Sequence, residues 1–299
     1  MFGNKRKENR EKAEEAVQQH SENADTSVQN SVSDVNKCTH AAEENASVSA
    51  VGAETAERIS ASEMAEFEEF KRQKKLLELR RLLRTIDHTL LKQTATRSDI
   101  KKLCDEAREY GFYSVCVQPV YVPACCEFLK KAPSVKIACV VGFPMGENTT
   151  ATKVYETKRA IKDGADEIDM VVCISAVKNG NYSYVKKEIR QIVKAARGNP
   201  VKVILETSLL DREEIVRTAV CARDAGAAFV KTSTGYFGEG AKAEDVKLLK
   251  ETVEGKCSVK ASGGIRSAEL FKEMIAAGAD RIGTSAGKTI ADTLREEMK

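Results

Sequence analysis

Histidine is scarce in this chain, and patterns that bind metals are missing. The 299 residues include only three histidines, of which His88 alone lies outside the polar N-terminal region. A zinc site built from two or three histidines is therefore not available, which excludes metal-dependent aldolases and hydrolases of that kind. The nine cysteines contain no CxxC pair and no cysteine–histidine spacing typical of a metal site.

Long apolar runs and a strong net charge are also absent. No stretch of about 18 apolar residues occurs, so the sequence offers no candidate transmembrane helix. The first residues lack the apolar core of a secretory signal, and we expect none. The net charge of +3 is small and spread out, which favours neither nucleic acid nor a membrane as partner. Cysteines such as Cys139 and Cys173 lie in apolar runs, as buried free thiols do, and we expect a cytoplasmic protein.

Three regions follow one another along the chain. Residues 1–62 are polar and low in aromatic residues, which predicts a disordered extension. Residues 63–84 predict a charged lead-in helix, with Phe67, Phe70, Leu76, Leu79 and Leu83 near helical spacing. We expect this helix to pack on the following domain; pairing with a partner helix is the alternative. Residues 85–299 form the third region.

The third region alternates short apolar runs with amphipathic segments. Helices are predicted over 98–110, 149–162, 211–225 and 267–277, among others, and three of the helices end in a glycine that suits a left-handed cap. Eight strand–helix units in about 215 residues predict a (β/α)₈ TIM barrel. A doubly wound open sheet is the alternative, but no glycine fingerprint follows its first strand. The predicted strands are 86–91, 114–118, 136–142, 167–172, 201–207, 229–234, 258–262 and 281–285.

Two lysines interrupt predicted buried strands. Lys231 lies in the apolar run 228–234, and Lys260 lies in the run 258–262. Alternation along the strands places Asp169 and Lys231 in one interior layer, with Lys260 nearby on the next strand. Repulsion between the amines, added to desolvation, favours a neutral Lys231, which is a nucleophile toward carbonyl carbons. Lowering its pKa from about 10.4 to near 7 requires roughly 4–5 kcal/mol. The alternative is a lysine that extends to solvent at a strand end.

Glycine-rich loops follow the last two predicted strands. Residues 263–267 and 283–285 lie where barrels commonly bind phosphate through backbone N–H groups. Ordinary glycine turns are the alternative. Residues 283–289 are similar to a nucleotide-binding P-loop, but the spacing is one residue too short. Residues 235–240 do not match a dinucleotide-binding fingerprint either.

Five segments together resemble the deoxyribose-phosphate aldolase family. They are residues 86–91, 141–146, 164–171, 229–235 and 260–266, in order and without large gaps. The pair Lys-Thr-Ser-Thr-Gly and Lys-Ala-Ser-Gly-Gly-Ile-Arg is the most specific part. The resemblance runs from about residue 85 to the end of the chain. It implies a class I aldolase on a TIM barrel, without metal or cofactor, that joins acetaldehyde reversibly to glyceraldehyde 3-phosphate.

The resemblance also implies roles for single residues. Lys231 matches the Schiff-base lysine, Lys260 the lysine that perturbs it, and Asp169 the acid/base aspartate. Asp87 and Cys116 match positions that line the pocket. The remaining predicted substrate-binding residues, several of them in the phosphate loops, are Thr89, Thr232, Gly235, Gly263, Gly264, Arg266, Gly283 and Ser285.

The sequence departs from the family pattern in places. Val172 and Cys173 stand where Ile and Asn are frequent, and Ala286 replaces a serine that is a possible phosphate donor. Two other functions stay open beside the aldolase: another phosphosugar lyase or isomerase, and an inactive barrel that serves as a scaffold. Small phosphorylated sugars and aldehydes are the expected partners. The oligomeric state is also open, with a homo-oligomer among the alternatives.

Overall fold

Eight short parallel strands close into a barrel in chain order in the computed structural model, which describes residues 61–298. This confirms the predicted TIM barrel and excludes the open sheet. The strands are β1 (Ile86–Leu90), β2 (Ser114–Val117), β3 (Lys136–Val141), β4 (Glu167–Val171), β5 (Val201–Ile204), β6 (Phe229–Lys231), β7 (Ser258–Ser262) and β8 (Arg281–Thr284).

Helices follow the strands and cover the outside of the barrel. They are α1 (Ala61–Leu83), α2 (Arg97–Tyr110), α3 (Val122–Phe128), α4 (Thr150–Lys162), α5 (Ile174–Lys178), α6 (Tyr182–Ala195), α7 (Arg212–Asp224), α8 (Ala243–Val253), α9 (Ala268–Ala276) and α10 (Gly287–Glu297). Helix α7 begins with a capping box, in which Asp211 and Glu214 each accept from the other's backbone N–H. Gly164, Gly226 and Gly278 all have positive φ just after a helix, as predicted.

The two faces of each strand bury different kinds of side chain. Outward residues such as Val115, Ile168 and Met170 belong to a large apolar core between the barrel and its helices. The apolar cluster inside the barrel is small and consists of Leu91, Cys116, Ala138 and Val140. Much of the remaining interior is occupied by buried charged side chains, and these build the candidate site.

Strands β5 and β6 are shorter than predicted. They end at Ile204 and Lys231, whereas we expected them to reach residues 207 and 234. Glu206 accounts for the early end of β5, because its φ of 58° and ψ of 64° turn the chain out of the extended conformation. The Glu206 carboxylate accepts hydrogen bonds from both the backbone N–H and the hydroxyl of Thr234, which joins the two loops beyond the strand ends.

Helix α1 packs on the barrel only near its C-terminal end. Leu79 and Leu83 are buried in the apolar core, which confirms the predicted packing for these two residues. The prediction was wrong for Phe67, Phe70 and Leu76, which are exposed; Leu76 lines a surface cavity together with Arg295 and Met298 near the end of the chain. The predicted disordered extension lies outside the described residues, apart from positions 61 and 62, which open α1. Among residues 61–298, no helix has both the length and the apolar composition to span a bilayer.

Candidate active site

A cavity of about 380 Å³ opens at the carboxyl ends of β1, β6, β7 and β8. This is the end of a TIM barrel where the loops that follow the strands meet. The lining residues are Thr89, Leu90, Leu91, Lys92, Lys231, Thr234, Gly235, Tyr236, Ser262, Gly263, Gly264, Ile265, Arg266, Gly283, Thr284 and Ser285.

The charges on the cavity wall all have one sign. Lys92, Lys231 and Arg266 line the cavity, and none of the described residues that line it is acidic. Lys92 and Arg266 are exposed near the mouth, whereas Lys231 lies at the floor with 3% of its surface exposed. A concave site with cations and no carboxylate on its wall favours an anionic ligand.

The floor of the cavity places one carboxylate oxygen between two amines. Oδ2 of Asp169 accepts from Nζ of Lys231 at 2.8 Å and from Nζ of Lys260 at 2.7 Å. Lys231 and Lys260 are register partners on β6 and β7, so that both side chains enter the barrel at one level. Only Lys231 reaches the cavity, because Lys260 is fully buried beneath it.

The two lysines have opposite pKa shifts. Burial lowers the pKa of Lys231, Asp169 opposes this shift, and the ammonium of Lys260 lowers it further, so that the pKa lies below its ordinary value. Burial also disfavours the charge on Lys260, but Asp169 and Asp87 raise its pKa well above the ordinary range. Lys260 is therefore the permanent cation and Lys231 the amine that loses its proton more readily. Burial, rather than repulsion between the amines, is the largest cause for Lys231.

A layer of ion pairs continues below Asp169. Lys202 of β5 donates to Oδ1 of Asp169 at 2.9 Å and to Glu167 at 2.5 Å. Arg281 of β8 donates to Asp87 and to Glu167, the latter at 3.1 Å. Burial disfavours the Asp169 carboxylate, but the ammonium groups of Lys202, Lys231 and Lys260 hold its pKa well below the ordinary value.

Charge balance in this layer favours a neutral Lys231. The ion-paired cluster has four cationic side chains, on residues 202, 231, 260 and 281, and three carboxylates, on residues 87, 167 and 169. One cation exceeds the number of carboxylates, and buried charges are stable only when they are paired. Deprotonation of Lys231 leaves three cations and three carboxylates.

Lys202 and Arg281 are site residues that the sequence analysis missed. Lys202 had a detectable signal, because it interrupts the apolar run 201–205 just as Lys231 interrupts its own run. Arg281 had none, since a charged residue that opens a strand is ordinary. Its guanidinium lies 3.5 Å from the ring centroid of Tyr113, which covers it from one side.

The structure distributes the predicted substrate-binding residues over two places. Asp87 and Cys116 are buried beneath the cavity instead of lining it, and the Cys116 thiol is 4.0 Å from Oδ2 of Asp169. Thr232 is buried away from the cavity, and its hydroxyl donates to the Ser262 carbonyl. The others line the cavity: Thr89, Gly235, Gly263, Gly264, Arg266, Gly283 and Ser285.

Glycines in the loops allow backbones to approach closely. A Cβ on Gly263, which has φ of 91°, would lie 3.0 Å from Cα of Gly240 and 3.3 Å from Cα of Gly235. A Cβ on Gly283 would lie 2.9 Å from Cβ of Ser262 and 3.0 Å from Cε of Lys260. The first glycine is required where two loops meet, and the second leaves space for a buried lysine.

A family model for the DeoC/LacD family of aldolases matches residues 81–291. The chain belongs to this family. A curated relative from Staphylococcus aureus (strain MRSA252), deoxyribose-phosphate aldolase 1, is 53% identical over 212 residues, which cover 71% of this chain and 96% of the relative. The deoxyribose-phosphate aldolase of Caldicellulosiruptor saccharolyticus is 54% identical over 214 residues, covering 71% and 97%.

Solved structures agree with the family match. The tetrameric deoxyribose phosphate aldolase from Aeropyrum pernix superposes with a TM-score of 0.70 at 34% identity, covering 80% of this chain and 99% of that one. An aldolase named QR15 superposes with a TM-score of 0.69 at 41% identity, covering 72% and 96%. The chain is therefore a class I aldolase, like the other members of this family.

Proposed function

We propose that this protein is a deoxyribose-phosphate aldolase, which cleaves 2-deoxyribose 5-phosphate reversibly to glyceraldehyde 3-phosphate and acetaldehyde through a Schiff base on Lys231. The observation that carries the proposal is the floor of the cavity. There Lys231 is the amine that faces the cavity, its pKa is lowered, and Asp169 and Lys260 lie within hydrogen-bond distance of one another. A neutral amine beside a proton-carrying pair is what imine formation requires.

The proposed reaction begins with attack of neutral Nζ of Lys231 on the aldehyde carbon of the open-chain sugar. The Asp169 carboxylate, held in place by Lys260, relays the proton of the attacking nitrogen to the oxygen; a further proton from solvent releases the hydroxyl as water, and an iminium forms. The C3 hydroxyl of the substrate gives up its proton to the Asp169 carboxylate, which later returns it to the enamine carbon, and the C2–C3 bond breaks. Its electron pair moves into the enamine on Lys231, which releases glyceraldehyde 3-phosphate. Protonation of the enamine carbon and hydrolysis then release acetaldehyde and restore the amine.

The loops at the cavity mouth suit the phosphate of the substrate. Gly263 and Gly264 both have positive φ, and Arg266 follows them on the same loop. Helix α10 begins at Gly287 with no side-chain cap, just after Ser285, so its first backbone N–H groups are free of such a partner. Backbone donors with an exposed arginine form a typical phosphate subsite.

The wider setting belongs to the same proposal. All eight cysteines among the described residues are free thiols, which supports a reducing, cytoplasmic location. The reaction breaks down a deoxyribose phosphate to small aldehydes and fits the catabolism of deoxyribonucleotides. The tetrameric relative from Aeropyrum pernix supports a homo-oligomer.

A borohydride trap tests the proposed function. The protein is treated with acetaldehyde and sodium borohydride and then digested for mass spectrometry. We expect a reduced ethyl adduct on Lys231, and no adduct at this position in the Lys231→Met variant. Absence of labelling, or labelling of Lys260 in its place, would contradict the proposal. Product analysis with 2-deoxyribose 5-phosphate against other sugar phosphates separates this activity from that of another phosphosugar lyase or isomerase.

A further inference from the structure

We infer that Lys92 is a specificity-determining residue, which binds the phosphate of the substrate from the β1 side of the cavity, two strands along the barrel from the loop that carries Arg266. The inference rests on the proposed function and deepens it. Lys92 lies just after β1, whereas the predicted phosphate loops follow β7 and β8. The wall of the cavity thus supplies two exposed cations from separate loops.

Lys92 and Arg266 are the cations available to a ligand. Within residues 61–298, neither of them forms an ion pair, whereas Lys231 is paired with Asp169. The Asp99 carboxylate accepts from the backbone N–H of Thr96 at 2.8 Å and from its hydroxyl at 2.7 Å, and these bonds lower its pKa. Lys92 is close enough to Asp99 to lower the pKa of that carboxyl further, but the two form no ion pair. A phosphate dianion that enters this cavity therefore meets two positive charges that have no ion-pair partner among residues 61–298.

The backbone that carries Lys92 is held in place from two sides. The carbonyl of the preceding residue, Leu91, accepts from the hydroxyl of Tyr236 at 2.8 Å and from Nε2 of Gln118 at 3.3 Å. Tyr236 belongs to the loop after β6 and lines the same cavity, and its ring packs edge-on against Phe143. These bonds hold the backbone at the start of the β1 loop beside the cavity, so that only the side chain of Lys92 has to become ordered when an anion binds.

A neighbouring cavity provides an internal control. This second cavity, of about 390 Å³, shares Thr89, Leu90, Lys92 and Ser285 with the first and is also lined by Lys102. Lys102 lies 4.0 Å from Glu106, which also binds His88, and it does not line the first cavity. It is thus a lysine of similar exposure that lacks access to the proposed phosphate subsite.

The test compares kcat/KM for 2-deoxyribose 5-phosphate with kcat/KM for unphosphorylated 2-deoxyribose in four proteins: wild type, Lys92→Met, Lys92→Arg and Lys102→Met. We expect Lys92→Met to lower the ratio by about tenfold to a hundredfold, the range for a lost hydrogen bond to a charged group. Lys92→Arg retains most of the ratio because it keeps the charge. Inhibition by inorganic phosphate weakens in Lys92→Met by a similar factor.

Several results would overturn the inference. An unchanged ratio in Lys92→Met, or an equal fall in Lys102→Met, contradicts a specific contact with phosphate. A wild-type protein that cleaves both sugars equally well refutes the phosphate subsite, while leaving the aldolase function intact. A wild-type protein that cleaves neither sugar and forms no adduct on Lys231 refutes the proposed function itself.

Discussion

The floor and the mouth of the cavity handle charge in opposite ways. At the floor, every charged group is buried and paired, and Lys202, Lys260 and Asp169 have no exposed surface. At the mouth, Lys92 and Arg266 are exposed and have no ion-pair partner among the described residues. In the proposed function the floor controls where protons reside, which requires fixed partners at low dielectric. The mouth would bind and release the phosphate, which requires cations that have no ion-pair partner of their own.

Substitution of Lys202 by Met is expected to produce the largest loss of stability and to show how far the floor depends on complete pairing. It leaves Oδ1 of Asp169 without its buried partner and leaves the Glu167 carboxylate with Arg281 alone. Breaking a buried ion pair from one side costs about 3–5 kcal/mol in the free energy of unfolding. Urea denaturation measures the change, with exposed Lys101→Met as the matched control. A loss below about 1 kcal/mol would show that the lower layer relaxes freely.

Substitution of Lys231 by Met is expected to act in the opposite direction on stability. Lys231 has a folded pKa below its unfolded value of about 10.4, so the unfolded chain binds more protons between these two values. The wild-type protein therefore gains stability as the pH rises through this window. At neutral pH the wild-type protein carries the free-energy cost of burying the Lys231 amine, and the variant does not. We expect the variant to be more stable by about 1–2 kcal/mol and to lose aldolase activity.

Denaturation at several pH values checks the sign of this effect. The stability gained by Lys231→Met should shrink as the pH approaches 10. A variant that is less stable than wild type at neutral pH would mean that the Lys231–Asp169 pair stabilises the fold.

Substitution of Lys260 by Met is expected to shift the pH dependence of activity. The ammonium of Lys260 lowers the pKa of Lys231, and its removal also frees Asp169 to hold the Lys231 proton more strongly. The pKa of Lys231 therefore rises. The labelling rate, which increases as Lys231 loses its proton, should then increase at a pH higher by about one unit or more. Each unit corresponds to about 1.4 kcal/mol. A pH–rate profile for borohydride labelling measures it. A profile at the wild-type position would show that burial alone sets the basicity of Lys231.

Substitution of Tyr236 by Phe is expected to have the smallest effect, confined to the mouth. It removes the hydrogen bond to the Leu91 carbonyl, a contribution of about 1 kcal/mol. We expect KM for the phosphorylated sugar to rise severalfold with little change in kcat, because the floor is untouched. Steady-state kinetics measure both values, and a fall in kcat with constant KM would contradict this division between the two regions.

The barrel and the centre of its floor were predictable from the sequence. Lys231, Lys260 and Asp169 each interrupt an apolar run, and strand periodicity places them on the inner face. The same interruption marks Lys202, but its role depends on the register of β5 against β4, which the sequence does not encode locally. The link between Tyr236 and Leu91 joins residues 145 positions apart and left no local pattern to detect.

The shortened ends of β5 and β6 were not predictable for a related reason. Glu206 adopts a left-handed conformation that an apolar run does not reveal, and its carboxylate makes the bonds to Thr234 that hold the loops together. Helix α1 shows the limit of periodicity. Its apolar row was recognised, but how much of that row meets the barrel depends on where the helix leaves it.

Gly283 has a consequence for any redesign of this enzyme. The residue lines the cavity and also contacts the aliphatic chain of Lys260, where an added methyl group would lie 3.0 Å from Cε. Widening substrate scope by mutating this position would displace the lysine that tunes the nucleophile, so selectivity and turnover would change together. Ser285 lines the cavity one residue beyond β8. A substitution at this position is expected to change selectivity without changing turnover.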